Sequence, residues 1–193
     1  MNPASLLLET LRLDEGTDPG RLHSAWLHVE TNGLARLVEF EGCALWLRHR
    51  LAQLNARDFA DRRFRTWLDH RSRELVSRNV LVDAQIDRAA RALSDGNVPF
   101  VLIRGSAWRA LADTIPRADA RATNDVDILI PAARARDAWD EMRAAGYEAA
   151  PTPADRPPLT PSGRFHLPSV WNLSRVPVEL HTSTSDAVSA AEA

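Results

Sequence analysis

Apolar residues over the first ~95 positions recur at three- and four-residue intervals, the spacing of one face of an α-helix. Leu6, Leu7 and Leu11 form one short amphipathic piece, and Leu22, Trp26 and Leu27 another, with "DEGTDPG" breaking the pattern between them. Leu34, Leu37, Val38, the run from Cys43 to Leu47, Leu51 and Leu54 continue it. A longer stretch carries Phe64, Trp67, Leu68, Leu75, Val82, Ile86 and Leu93 and ends at "SDGN", where Gly96 suits the first position past a helix. The spacing predicts four helices whose aromatic and aliphatic stripe is core.

From Pro99 onward the pattern changes. "PFVLIRG" is a short apolar run closed by glycine, the mark of a central strand. "SAWRALADTI" predicts a helix, "DVDILI" a second strand, and "PAARARDAWDEMRAAG" a further helix, with Pro131 near its first turn and Gly146 past its end. Residues 149–163 hold five of the twelve prolines and read as a loop. "RFHLPSVWNL" and "VPVELH" read as two strands around "SR", a hairpin. Helices followed by β-α-β-α-β-β predict an α+β fold: a small mixed sheet behind an N-terminal helical region. The expected organisation is a helical region over 1–77, a core over 78–182 and a C-terminal tail over 183–193.

Composition narrows the function. The 193 residues are 45% apolar and 26% charged, as globular domains are. A net charge of −2 and a pI near 6.3 argue against binding nucleic acid by bulk electrostatics. All 24 basic residues are arginine, a bias of coding composition rather than a phosphate-binding signal. Cys43 is the sole cysteine, which excludes an internal disulfide and any multi-cysteine metal site. The first residues lack a basic leader and no apolar run approaches the ~20 residues of a membrane span, so the expectation is a cytoplasmic protein, with no membrane partner.

The candidate chemistry lies in "NDVDILI". Strand alternation puts Asp125, Asp127 and Leu129 on one face, with the two aspartates ~7 Å apart at Cα. Two carboxylates on a half-buried face repel and lose solvation unless something positive compensates, and a hard divalent cation does so best. A D-x-D pair also occurs at solvent-exposed strand ends, and the pair alone does not decide between these readings. Two further features bear on it. "IRGSAW" leads from a strand into a helix through Gly105 and Ser106, which would let a phosphate approach the backbone and accept a hydrogen bond. "VPVELH" puts Glu179 and His181 on one face of a late strand, a possible third acid with a histidine in support.

In that order, "FVLIRGSAWRAL", "ARATNDVDILIP", a helix ending "AAGY" and "VPVELH" resemble the nucleotidyltransferase superfamily of the DNA polymerase β type. More narrowly, they resemble the uncharacterised bacterial nucleotidyltransferases with K-G-(A/S), R-x-x-x-D-h-D and h-D-h-H motifs, over roughly residues 78–182. The resemblance implies that Gly105 and Ser106 grip a nucleoside triphosphate, with Arg104 in the position of the usual lysine. It implies that Asp125 and Asp127 bind two Mg²⁺ (or Mn²⁺) ions, that Arg121 is the arginine four residues before the first aspartate, and that Glu179 is the third acid. Glu179 stands where relatives carry aspartate, so the carboxylate is one methylene further out, which bears on turnover more than on folding. Relatives continue past the point where this chain ends, eleven residues after Thr182, so a short member or a missing segment is expected.

The other histidines offer less. Arg65 and His70 in "RTWLDH" echo a helical RNase pattern, but 24 arginines and six histidines make such a match expected by chance. His23 and His28 lack a carboxylate at useful spacing, whereas His166 and His181 fall near the candidate strands. The leading expectation is an enzyme that moves a nucleoside monophosphate from an NTP to a hydroxyl of a small molecule, peptide or protein, with nucleic acid disfavoured. The alternative is a catalytically weak relative that binds or regulates, such as an antitoxin-like partner. The motifs leave the acceptor, the NTP and the oligomeric state open.

Overall fold

A computed structural model describes residues 2–12, 18–111, 121–149, 167 and 169–183 of the chain. These fall into two compact units, one drawn from 1–78 and 117–122, the other from 79–116 and 123–193.

The first unit is helical: α1 (Pro3–Leu11), α2 (Pro19–Leu27), α3 (Thr31–Phe40), α4 (Ala44–Gln53) and the start of α5 (Arg62–Asp95). That makes five α-helices among the described residues up to Asp95 where the spacing predicted four. The run from Leu34 to Leu54 divides at Gly42, whose φ of 62° is the left-handed conformation that stops α3 before α4 begins. Side chains open the first three helices: Asn2 accepts from the Ser5 amide, Asp18 from Gly20, and Glu30 from Asn32 and Gly33. Leu6, Leu22, Leu34, Val38, Leu47 and Phe64 sit at the centre of one apolar cluster, as the helical spacing required.

The second unit takes the rest of α5, then β1 (Val101–Leu102), α6 (Arg104–Ala110), β2 (Val126–Leu129), α7 (Ala135–Ala144), β3 (Glu148–Ala149), β4 (Val170–Trp171) and β5 (Val178–His181). The strands form one mixed sheet in the order β1-β2-β5-β4-β3, with β2 and β5 parallel and the other pairs antiparallel. Val126, Ile128, Val178 and Leu180 bury one face of the sheet against Val82, Ile86, Leu93, Ala138 and Met142. This is the α+β class the sequence predicts.

Several details differ from the sequence reading. β1 is an edge strand rather than a central one, and Val101 is 59% exposed, because among the described residues β1 pairs only with β2 and turns into α6 after two residues. β3 was not expected; the chain re-enters the sheet straight after Gly146, whose φ of 84° ends α7 as foreseen. At the end of α5 the left-handed residue is Asn97 (φ 52°), one beyond Gly96, and the Val98 amide bonds back to Leu93. Gly96 has a different reason to lack a side chain: a Cβ there would overlap Glu141. "PAARARDAWDEMRAAG" starts as a 3₁₀ turn over Ala132–Arg134 before α7 proper. The hairpin of β4 and β5 forms, closed by an Arg175 amide bond to the Asn172 carbonyl. Of the loop expected over 149–163, Ala149 belongs instead to β3 and 150–163 lie outside the described residues, as do His166 and the tail from 184.

Candidate functional site

The parallel pairing of β2 with β5 sets Asp127 directly beside Glu179, and Leu129 beside His181. Alternation then puts Asp125, Asp127, Glu179 and His181 on the same face of neighbouring strands. Two motifs far apart in sequence thus meet at one point. Asp127 is 4% exposed and His181 fully buried.

The polar contacts at this point are few and specific. His181 Nε2 lies 2.7 Å from Asp127 Oδ1, so with the aspartate ionised the ring nitrogen carries the proton and donates. Arg104 donates to the same oxygen at 3.4 Å. Glu179 Oε2 lies 3.7 Å from His181 Nε2, and Ser169 donates its hydroxyl to Glu179 Oε1 at 3.1 Å. One ligating atom each from Asp127, Glu179 and His181 fall within 4.8 Å of one another. Asp125, one residue ahead of β2, has its carboxyl raised above the ordinary aspartate range. Burial is the main cause, with the negative charges of Asp127 and Glu179 next, and Arg104 offsets part of it.

The residues present fit a divalent cation. Three carboxylates share one sheet face, and Asp127 and Glu179 add like charge to the burial that raises Asp125, which Arg104 offsets only in part. With its Nε2 proton committed to Asp127, His181 orients a carboxylate rather than offering that nitrogen to a metal. Oxygen donors from Asp125, Asp127 and Glu179 are the set a hard ion such as Mg²⁺ or Mn²⁺ takes.

The "RGS" residues lie beside this cluster, each attached to β2 or its approach. Arg104 has a φ of 52°, unusual for a residue with a side chain, and marks the corner between β1 and α6. Gly105 packs so closely on Thr123 that a Cβ would stand 2.7 Å from its Oγ1 and 2.8 Å from its Cγ2. Ser106 is fully buried, and its Oγ accepts the main-chain amide of Asp127 at 2.8 Å. The helix begins at Arg104, so Gly105 and Ser106 form its first turn rather than a turn ahead of it. Arg121 is exposed and falls in the helical unit.

Sequence reasoning missed Ser169 and Thr123. Ser169 belongs to no motif and reaches Glu179 only because β4 and β5 pair. Thr123 lies two residues before Asp125 and matters through a glycine eighteen positions earlier, a contact that neither spacing nor periodicity reports.

The profile of a family described as uncharacterised nucleotidyltransferases matches residues 28–191. No curated protein and no solved structure matches the chain. The match covers most of the chain and takes in α3 and α4 as well as the sheet, well beyond the span over which the motifs resemble the superfamily. The chain belongs to that nucleotidyltransferase family.

Proposed function

We propose that this nucleotidyltransferase family member transfers a nucleoside monophosphate from an NTP to a hydroxyl acceptor, with release of pyrophosphate, in a two-metal site built on β2 and β5. The observation that carries the reading is the parallel register that sets Asp127 beside Glu179, with Asp125, whose carboxyl is raised by burial first and by the charges of both acids next, at the approach to β2.

Asp125, Asp127 and Glu179 would hold the divalent ions, Mg²⁺ or Mn²⁺. When bound, such ions neutralise phosphate charge and ease deprotonation of the attacking hydroxyl. The chain's own residues then have separable tasks. His181 holds Asp127 through Oδ1 and so orients the carboxylate. Ser169 holds one oxygen of Glu179, which compensates for the freedom of the longer side chain. Arg104, half exposed beside Asp127, supplies positive charge at the edge of the cluster where a triphosphate would lie. Glu179 is the acid suited to receive the proton of the acceptor hydroxyl.

The test is pyrophosphate release from Mg·NTP across a panel of small-molecule, peptide and protein hydroxyl acceptors, with binding of a non-hydrolysable NTP measured alongside. Release that needs a divalent cation and is lost in Asp125→Asn supports the proposal. Mg-dependent NTP binding without release on any acceptor assigns the chain to a binding or regulatory role. Absence of both binding and release overturns the metal site itself.

A further inference from the structure

We infer that Ser106 is a positioning residue, which fixes the main chain at Asp127. This rests on the reading of Asp125, Asp127 and Glu179 as cation ligands.

At Ile103 strand β1 must become a helix, and its two main-chain groups part company. The Ile103 amide still bonds in the sheet manner, donating to the Asp127 carbonyl at 3.1 Å. Its carbonyl has already turned to the helix and accepts from the Ala107 amide at 3.3 Å. In an antiparallel ladder the same residue would return that carbonyl to the Asp127 amide. Here the Asp127 amide has lost that partner in a buried position, and an unsatisfied buried donor is costly. The Ser106 hydroxyl takes the carbonyl's place at 2.8 Å. A side chain on the first turn of α6 therefore completes the ladder at the one residue that carries the most buried carboxylate of the cluster.

The neighbouring residues of the motif act on the same strand. Gly105 allows α6 to close on Thr123, two residues before Asp125, and Arg104 reaches the Asp127 carboxylate. Asp127 is held at both ends, its amide by Ser106 and its Oδ1 by His181. Ser106 is fully buried, and the hydrogen bond that it accepts is made inside the protein. Outer contacts of this kind set the geometry of a carboxylate ligand and typically carry ~10- to 100-fold of metal affinity.

The experiment compares wild type, Ser106→Ala and Ser106→Thr, each checked for folding by circular dichroism. Three quantities are read: Mn²⁺ affinity without nucleotide by electron paramagnetic resonance, hydrogen exchange at the Asp127 amide by NMR, and NTP affinity at saturating Mn²⁺. In Ser106→Ala we expect Mn²⁺ affinity to fall ~10- to 100-fold. The Asp127 amide should exchange at least about tenfold faster, and NTP affinity at saturating metal should stay within about threefold of wild type, since the metal is then already in place. Ser106→Thr keeps the hydroxyl and should restore most of the Mn²⁺ affinity and the amide protection. Should Ser106→Ala fail to fold, the threonine variant and the slow exchange of the wild-type Asp127 amide still decide the point. Unchanged Mn²⁺ affinity in Ser106→Ala, with weakened NTP affinity at saturating metal, would return Ser106 to the triphosphate and overturn the inference. Wild type that binds no Mn²⁺ at all removes the metal reading on which the inference stands, an outcome distinct from equal Mn²⁺ binding by wild type and variant.

Discussion

The two units of the chain spend their polar residues in opposite ways. In the helical unit charge stays outside: Arg48 pairs with Asp69 at 2.9 Å and Arg71 with Glu39 at 2.6 Å, all at least about a third exposed. Its buried polar groups are hydroxyls such as Thr10, which donates to the Leu6 carbonyl and accepts from the Trp26 ring nitrogen. In the sheet unit Asp127 and His181 are buried, and among the described residues no other acidic, arginine or histidine side chain is. Exposed pairs cost little and contribute little, whereas a buried carboxylate persists only if its surroundings hold it in place. The contrast marks where chemistry is expected: a fold that wanted stability alone would not crowd three acids on the pairing of β2 with β5.

Breaking that contrast most sharply are substitutions at the acids. Glu179→Gln should lower pyrophosphate release by ~10²- to 10⁴-fold while sparing most NTP affinity, and Glu179→Asp should retain measurable turnover. Asp125→Ala should abolish Mg-dependent NTP binding, by more than the ~100-fold that outer contacts carry. It should leave the melting temperature unchanged or slightly higher, because the removed carboxyl is one that burial and like charge disfavour. A melting temperature lowered by several degrees would show that Asp125 supports the fold.

The helical unit should answer differently. Leu47 is fully buried in its apolar cluster, so Leu47→Ala should cost about 2–5 kcal/mol in urea unfolding. The metal and nucleotide affinities of the folded fraction should not change. A variant that lost NTP affinity while still folded would blur the division of labour between the units.

Alkaline pH separates the units without mutation. The chain has one tyrosine, one thiol and no lysine. Burial raises Tyr147, in the sheet unit, from 10.0 to about 12, and Cys43, in the helical unit, from 9.0 to about 11. Both groups hold their protons more tightly when folded. Stability from Tyr147 is therefore full below pH 10 and declines as pH climbs from 10 towards 12, by about 1.4 kcal/mol per unit over that window. Cys43 adds a second decline between pH 9 and 11. Ultraviolet difference spectra of phenolate and thiolate would follow each unit separately. Phenolate forming near pH 10 in the folded protein would contradict the burial of Tyr147. The smallest effect expected is from Arg48→Ala, whose exposed pair with Asp69 should matter by less than about 1 kcal/mol in the same urea assay.

Much of this molecule is legible in the sequence because its periodicities are strong. The apolar spacing from Leu6 to Leu93 gives the helices, and strand alternation puts Asp125 with Asp127, and Glu179 with His181, on common faces. What escapes is whatever depends on a partner distant in sequence or on only two residues. β3 is too short for alternation to register. "FVLI" reads as central because all its residues are apolar, yet β1 lies at an edge, with Val101 facing out. A serine that replaces a main-chain carbonyl looks, in one dimension, the same as a serine at a phosphate turn. The pairing of β2 with β5 turns two weak motifs into one cluster, and no local pattern announces it.

That pairing also has a consequence for the order in which the protein assembles. Asp127 and His181 are 54 positions apart, and β2 cannot lie alongside β5 until the intervening chain has been closed into a loop. Closure of that length is an entropic toll met before any contact rewards it, whereas the helices form from neighbours only a few residues apart. The acidic cluster therefore has no local precursor. While β5 is undocked the Glu179 carboxylate is solvated and far from those of Asp125 and Asp127, and their mutual repulsion falls on the step that brings the strands together. That step is expected to be slow, and Asp125→Ala, which relieves part of the repulsion, is expected to hasten it in refolding without metal. The competence to bind a cation is then a late arrival in folding, gained when β5 reaches its place and lost first when it leaves.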